Sequence, residues 1–358
     1  MASIGPVDYL PDTAVPPGLT ISDLLQDLEL SVAEFADLAR LTEDEGFDLI
    51  NGGHPIDEEL ARFLAEFFRM PMHFWMNLER NYRQTLERVE AQALQEDIAF
   101  SRRFPLRDMI KFGWIAGSKR ADVRAAQLLE FLGIRRSSEF NASPFSATLF
   151  RRSKSLAPSE NAMIAWLTRG RQEAAAVETA AFDPTGLSKS LGDLRAMTRL
   201  EATEFGDAIQ ATCGRYGVAV VYVPAPERCT ASGAAYKVGR RHVVQLSLRH
   251  KRNDHFWFSL FHELAHVILH SDGTFVDDFE SVSNPLEAEA DRFASDLLLP
   301  PTAYNSWRTS SPLTSQAVRE FADRIGIAPG IVVGRLQRDR LLGYERLPEL
   351  FQAIDFEA

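Results

Sequence analysis

Hydrophobic positions fall into different rhythms along the chain, and the rhythm changes near residue 217. Between Thr20 and about Tyr82, apolar residues recur three and four apart in short runs bounded by capping or breaking residues, which predicts a small set of helices. A first helix over 21–28 is expected behind Thr20 as cap. A second over 32–40 follows Ser31, with Glu34 at the capping-box position. A third starts at Thr42 and stops at Asn51-Gly52-Gly53, and a fourth spans 57–68 before Pro71. The tight turn around Leu41 gives the second and third the spacing of a helix-turn-helix.

From about residue 77 to 216 the period stays helical, interrupted at Pro105, Pro144, Pro158 and Pro184, with helices over 118–132, 158–177 and 201–216. Apolar and alternating runs then predict strands over 218–223, 231–238 and 242–248. A long apolar helix over 254–270, a polar loop to 284, and a helix over 285–299 opening on Pro285 come next. Two further helices between 315 and 342, broken near Gly326 to Gly330, complete the pattern. The expected fold class is α+β. The expected division is a lead-in at 1–19, an all-α helix-turn-helix domain at 20–85, a helical middle region at 86–200, a core with a small mixed sheet at 201–300, and a helical extension at 301–358.

Composition changes this picture in three respects. The 45% hydrophobic fraction over 358 residues supports a sizeable core and more than one unit. Cys213 and Cys229 are the only cysteines, so a disulfide framework is not expected and a reducing compartment fits. No stretch reaches the roughly eighteen apolar residues of a membrane span, and the first residues lack a basic start followed by an apolar run, so the expectation is a cytoplasmic protein without a membrane partner.

Charge is unevenly placed. The net charge is −11, and between Thr20 and Thr85 five basic residues stand against fourteen acidic ones. The expected recognition helix opens Thr42-Glu43-Asp44-Glu45, which disfavours DNA as a partner because phosphate neutralisation supplies much of DNA-binding free energy. Between Ser101 and Arg171 the balance reverses, with fourteen basic residues against five acidic. Three readings stay open: solvated helix faces, docking of the acidic head on this segment within one chain or across a homodimer, or nucleic-acid contact by the basic segment itself.

The densest chemistry is His262-Glu263-Leu264-Ala265-His266. Residues four apart on a helix lie only about 40° apart around its axis, so both imidazoles can reach one ion. Glu263, about 100° from His262, is then free to act as catalytic base on water. The bland alternative is a pair of core histidines, yet burying two imidazoles and a carboxylate within five residues is costly without a metal.

Catalytic zinc usually takes a third protein ligand, and Asp272, Asp277, Asp278, Glu280, Glu287, Glu289 and Asp291 are within reach in sequence. In the helix from Pro285, the positions Glu287, Ala290, Asp291, Ala294 and Leu298 share a largely apolar face, whereas Glu289, Arg292 and Asp296 share a polar one. Glu287 is therefore the expected third ligand and Asp291 the acceptor for the free N–H of a ligating histidine. Service to the helix dipole is the alternative for both carboxylates. His270 is read as a helix C-terminal residue rather than a ligand. Tyr236, His242 and Tyr304 are candidates for stabilising an oxyanion, and spacing does not rank them.

His-Glu-Leu-Ala-His-Val-Ile-Leu-His at 262–270, with Glu-Ala-Glu-Ala-Asp-Arg-Phe-Ala-Ser-Asp-Leu-Leu-Leu-Pro at 287–300, resembles the ImmA/IrrE family of bacterial metallopeptidases. Its Glu-x-x-x-Asp is similar to the gluzincin pattern, although many members carry Asn where this chain has Asp291. The resemblance covers about residues 217–300. It implies a zincin-like peptidase domain with one Zn2+ per chain, held by His262, His266 and Glu287, with Glu263 as base. Leu-Ser-Val-Ala-Glu-Phe-Ala-Asp-Leu-Ala from Leu30, Ile-Asn-Gly-Gly-His-Pro-Ile from Ile50, and Phe-Trp-Met-Asn-Leu-Glu-Arg-Asn-Tyr from Phe74 resemble HigA/XRE-type helix-turn-helix domains. The stretch 327–337 resembles what fused regulator-peptidases carry after the peptidase core.

These resemblances imply an endopeptidase that cuts a specific cytosolic protein, a repressor or antitoxin encoded nearby. The alternative is a DNA-binding regulator or antitoxin whose metal site is structural or sensory. The intact Glu263 argues against it, since a structural site has no use for a base.

Overall fold

The structure is a computed structural model that describes residues 11–142, 158–247, 249, 251–270, 275–276 and 285–354. The polar loop with Asp272, Asp277, Asp278 and Glu280 lies outside the described residues, as do Arg151, Arg152 and Lys154. The chain divides into two compact units, Met1–Ala99 and Phe100–Ala358.

The first unit is built from α1 (Pro17–Asp27), α2 (Val32–Leu38), α3 (Glu43–Ile50), α4 (Glu58–Phe67) and most of α5 (Met72–Ser101). Helix α1 starts at Pro17 behind Pro16, and Thr20 sits inside its first turn. Proline at the first helical position has the required φ and no N–H to satisfy, so it displaces Thr20 as the start signal. Capping boxes open α2, through Ser31 and Glu34, and α3, through Thr42 and Glu45. Arg40, at φ +59°, makes the turn between them. Ile21, Leu25, Phe35, Leu49, Leu64 and Trp75 form the core.

Helix α5 runs 30 residues, through the domain end expected near residue 85. Nothing between Met72 and Ser101 is Gly or Pro, so the chain has no local reason to stop.

The second unit is a mixed sheet covered on both faces. Its strands are β1 (Val218–Tyr222), β2 (Gly233–Val238), β3 (Arg241–Leu246) and the two-residue β4 (Phe275–Val276), in the order β1-β3-β2-β4. β1 pairs parallel with β3, which pairs antiparallel with β2, and β2 pairs antiparallel with β4. Alternation divides the side chains cleanly. Val218, Val220, Ala235, Val244 and Leu246 enter one core, while Ala219, Val221, Ala234, Tyr236 and Val243 enter the other.

The first of these cores holds α9 (Pro184–Ala196), α10 (Ala202–Gly214), α11 (Asn253–Leu269), α12 (Pro285–Leu298), α13 (Pro301–Ser310), α14 (Ser315–Ile325) and α15 (Pro329–Arg338). The other face carries α6 (Leu106–Lys111), α7 (Ala121–Leu132) and α8 (Pro158–Ala176). Gln245, fully buried, donates to the Trp166 carbonyl at 2.8 Å, and the Trp166 indole donates to the Val223 carbonyl at 2.9 Å, pinning α8 to the sheet. Thus residues expected to form a separate middle region pack on both faces of the sheet, α6, α7 and α8 on one and α9 on the other. No described helix is long and apolar enough to cross a membrane.

Arg195 on α9 ties the first layer together. Its guanidinium donates to the carbonyls of Leu297 (2.8 Å) and Leu298 (3.0 Å) at the end of α12, and of Ile325 (2.7 Å) at the end of α14. These are terminal carbonyls with no intrahelical donor. Arg195→Met is expected to destabilise the chain by about 2–3 kcal/mol, read as a lower urea midpoint with an unchanged slope.

Candidate metal and catalytic site

Helix α11 is buried along nearly its whole length. Phe256, Trp257, Leu260, Phe261, Leu264 and Val267 join the core beside the sheet, and His262, Glu263 and His266 are buried with them. Helix α12 packs along α11. It buries Ala290, Ala294 and Leu298 and leaves Glu289, Arg292 and Asp296 less covered, so Glu287 and Asp291 come to the edge of the buried face, toward the histidines.

Three donor atoms converge there. His262 Nε2 lies 3.0 Å and His266 Nε2 3.3 Å from Glu287 Oε2, and the two Nε2 atoms are 3.1 Å apart. An ion held tetrahedrally by bonds of about 2.0–2.2 Å separates its ligands by about 3.3–3.5 Å. The triangle is within a few tenths of an ångström of that geometry.

The outer nitrogens agree with it. His262 Nδ1 is 3.1 Å from Asp291 Oδ1, and a carboxylate only accepts, so Nδ1 carries the proton and Nε2 the lone pair. His266 Nδ1 faces His270 Nδ1 at 3.0 Å, and His270 Nε2 faces Glu289 Oε2 at 3.1 Å. Glu289 thus fixes His270 as an Nε2–H donor, and His270 accepts the His266 Nδ1 proton. Two imidazole lone pairs and a carboxylate oxygen pointing at one another need a cation among them. These residues fit a divalent metal, and they form the one such His/Cys/Asp/Glu cluster among the described residues.

Burial alone would push the Glu287 carboxyl up, but when no ion is bound and the rings of His262 and His266 carry a proton on Nε2, their hydrogen bonds outweigh burial and hold the carboxyl down at about 2. Burial, only partly offset by Glu287, lowers the His266 imidazole below its usual 6.5. Both shifts favour the forms that bind metal at neutral pH. Both also have the same sign in stability. His266 stabilises the metal-free fold above pH 6.5 and that contribution is lost as pH falls through its lowered folded value; the Glu287 contribution, full above 4.5, is lost toward about 2. The chelator-treated chain is therefore expected to lose urea resistance in steps below pH 6.5. Metal affinity should fall over the same range, by about tenfold per pH unit for each imidazole proton displaced.

Glu263 is fully buried against β2. A Cβ on Gly233, the first residue of β2, would lie 2.5 Å from Glu263 Oε1 and 2.7 Å from its Cγ. Only glycine leaves the carboxylate where it is. Gly233→Ala is expected to retain metal and lower kcat/KM by about 10²-fold through displacement of the base, measured on any peptide the wild type cuts.

A cleft of about 400 Å³ opens beside the cluster, between α11, α12 and α15. Phe258, Leu298 and Ile331 supply apolar wall, and Arg335, Arg338 and Tyr344 line it from the C-terminal elements. Arg338 reaches Asp291 Oδ2 at 2.7 Å and stacks over Phe258 at 4.6 Å.

The three residues expected near an oxyanion are not brought to this place. Tyr236 points to the opposite face of the sheet, where its hydroxyl donates to Gln245 Oε1 at 2.8 Å. His242 is stacked on Phe182 at 3.9 Å and pairs with Lys237, four residues along β2 from the Gly233 end that meets Glu263. The Tyr304 hydroxyl donates to Asp339 Oδ2 at 2.9 Å, behind Arg335, and does not line the cleft. The period of two along a strand is by itself enough to put Tyr236 and Gly233 on opposite faces of β2. Nothing in the sequence pairs Tyr304 with Asp339.

Residues 213–336 match the family described as the IrrE N-terminal-like domain, Peptidase_M78. The matched segment reaches from the end of α10 through the sheet and α11 to α15, so it includes the cluster and most of the cleft. No curated protein matches the chain.

Proposed function

We propose that this chain is a cytosolic zinc-dependent endopeptidase, with one Zn2+ per chain, that cuts a specific protein. The repressor or antitoxin of a stress, mobile-element or toxin–antitoxin circuit is the substrate class that the family resemblance suggests. The observation that carries the reading is the 3.0–3.3 Å triangle of His262, His266 and Glu287 with Glu263 buried next to it on the same helix.

His262, His266 and Glu287 would hold the ion, which when bound supplies Lewis acidity toward a scissile carbonyl and toward water. Glu263 takes the proton of the attacking water and returns it to the leaving amine. Asp291 holds the His262 ring, and His270, itself held by Glu289, holds the His266 ring, so both donors stay aimed while substrate comes and goes. The apolar wall of the cleft seats substrate side chains and keeps bulk water from the reacting carbonyl.

DNA is disfavoured as a partner. The α2–α3 pair has helix-turn-helix proportions, but Glu43, Asp44 and Asp48 are exposed on α3, where a groove reader offers polar or basic groups. The test is co-expression of the wild type and of Glu263→Gln with regulator proteins encoded beside the chain. A discrete fragment with the wild type alone supports the proposal; a fragment with both, or with neither, counts against it.

A further inference from the structure

Helix α15 approaches the start of α11 through residues that lack a side chain. A Cβ on Gly334 would lie 2.8 Å from the Cβ of Asp254, and one on Gly330 would lie 2.7 Å from Asn253 Oδ1. The two backbones therefore meet at a separation that any larger residue would forbid. Four residues beyond Gly334, Arg338 shares its face, about 40° round the axis and one turn along. Phe258 stands in the same relation to Asp254, and His262 to Phe258. This register delivers the last residue of α15 to the turn of α11 that precedes the first metal-site histidine.

There Arg338 touches both of the helices that carry the donor triangle. Its guanidinium lies over the Phe258 ring on α11, 4.6 Å from the ring centre, and its Nη2 donates to Asp291 Oδ2 on α12 at 2.7 Å. The other oxygen of the same carboxylate, Oδ1, faces His262 Nδ1 at 3.1 Å. Arg338, Asp291 and His262 thus form one line of contacts that ends on a metal-site imidazole. Arg338 lies two residues past the matched segment 213–336, so the family pattern does not include it.

Exposure assigns the bond to orientation rather than to stability. The Arg338 and Asp291 side chains are 52% and 39% exposed, and an ion pair so open to water contributes little to folding. A half-exposed carboxylate also turns easily about its last torsion, whose wells are broad. Holding the outer oxygen keeps the inner one on His262. The planar guanidinium is in turn held by its stacking on Phe258.

We infer that Arg338 is a positioning residue of the metal site, which clamps Asp291 so that Oδ1 stays on His262 and ties α12 to α11 beside the cleft. The role rests on the metal-site reading and not on what the cleft cuts. It makes the affinity for the ion depend on α15, a helix that supplies no ligand.

The test is the zinc affinity of the full-length protein, measured by competition with a chromogenic chelator, together with the urea midpoint of the metal-free chain. Arg338→Met keeps a stem over Phe258 and removes the charge. It should weaken zinc binding by about tenfold and leave the midpoint unchanged. Arg338→Lys restores a cation near Asp291 Oδ2 without the planar fork and should recover part of the loss. In an Asp291→Ala background, Arg338→Met should cost less than about twofold, because its effect has no other route to His262. Unchanged affinity in Arg338→Met, an undiminished loss in the Asp291→Ala background, no recovery with lysine, or a urea midpoint that falls in step with affinity would each overturn the inference and leave the metal site standing. A wild type that takes up no zinc brings down the metal reading, and the inference with it.

Discussion

Glu263→Gln is expected to keep the fold and the bound metal and to lower cleavage by about 10²–10⁴-fold. The carboxylate is not one of the three atoms in the donor triangle, so its loss leaves metal affinity in place. It is fully buried and held against a glycine, so an isosteric amide enters the same space. What the amide lacks is a site for the proton of the attacking water. A kcat loss with unchanged metal stoichiometry and an unchanged urea midpoint is the signature of a base; a parallel loss of metal or fold would make Glu263 a structural residue.

His266→Ala is expected to remove stoichiometric metal altogether, and cleavage with it. The alanine leaves two donors, His262 and Glu287, and two do not hold a catalytic ion against competing protons and chelators. Asp291→Ala should do less, about 10–100-fold in affinity, because Asp291 only orients His262 and is itself shared with Arg338. Equilibrium titration with a chromogenic chelator ranks the variants. Equal losses in both would mean that Asp291 belongs inside the donor set.

Function is most legible in the sequence where it coincides with local structure. The capping boxes at Ser31 and Thr42 state where two helices begin, and the i, i+4 spacing of His262 and His266 states that both imidazoles share a face. The phase of the helix from Pro285 separates Glu287 and Asp291 from Glu289, and the structure puts the first two against the histidines. His270 is less legible. Its position one turn beyond His266 marks the same face, but its bond to Glu289 spans nineteen residues.

The same limit explains Gly233, whose importance lies in a contact 30 residues away that local sequence does not encode. It also explains α15, whose Arg335 and Arg338 complete a cleft that the spacing around α11 and α12 leaves open on one side. Helix α5 hides its length for a different reason. Its middle carries only a thin apolar stripe, Leu86, Val89 and Ala93, so periodicity weakens while propensity carries the helix on.

In the proposed site the two histidines and Glu287 hold an ion that Glu263 works beside. Elemental analysis of full-length protein, purified at neutral pH without chelators or added metal, tests it most directly. One zinc per chain is predicted, absent from His266→Ala and retained by Glu263→Gln. Wild-type protein that is folded and free of zinc, and that takes up none when offered it, would contradict the account.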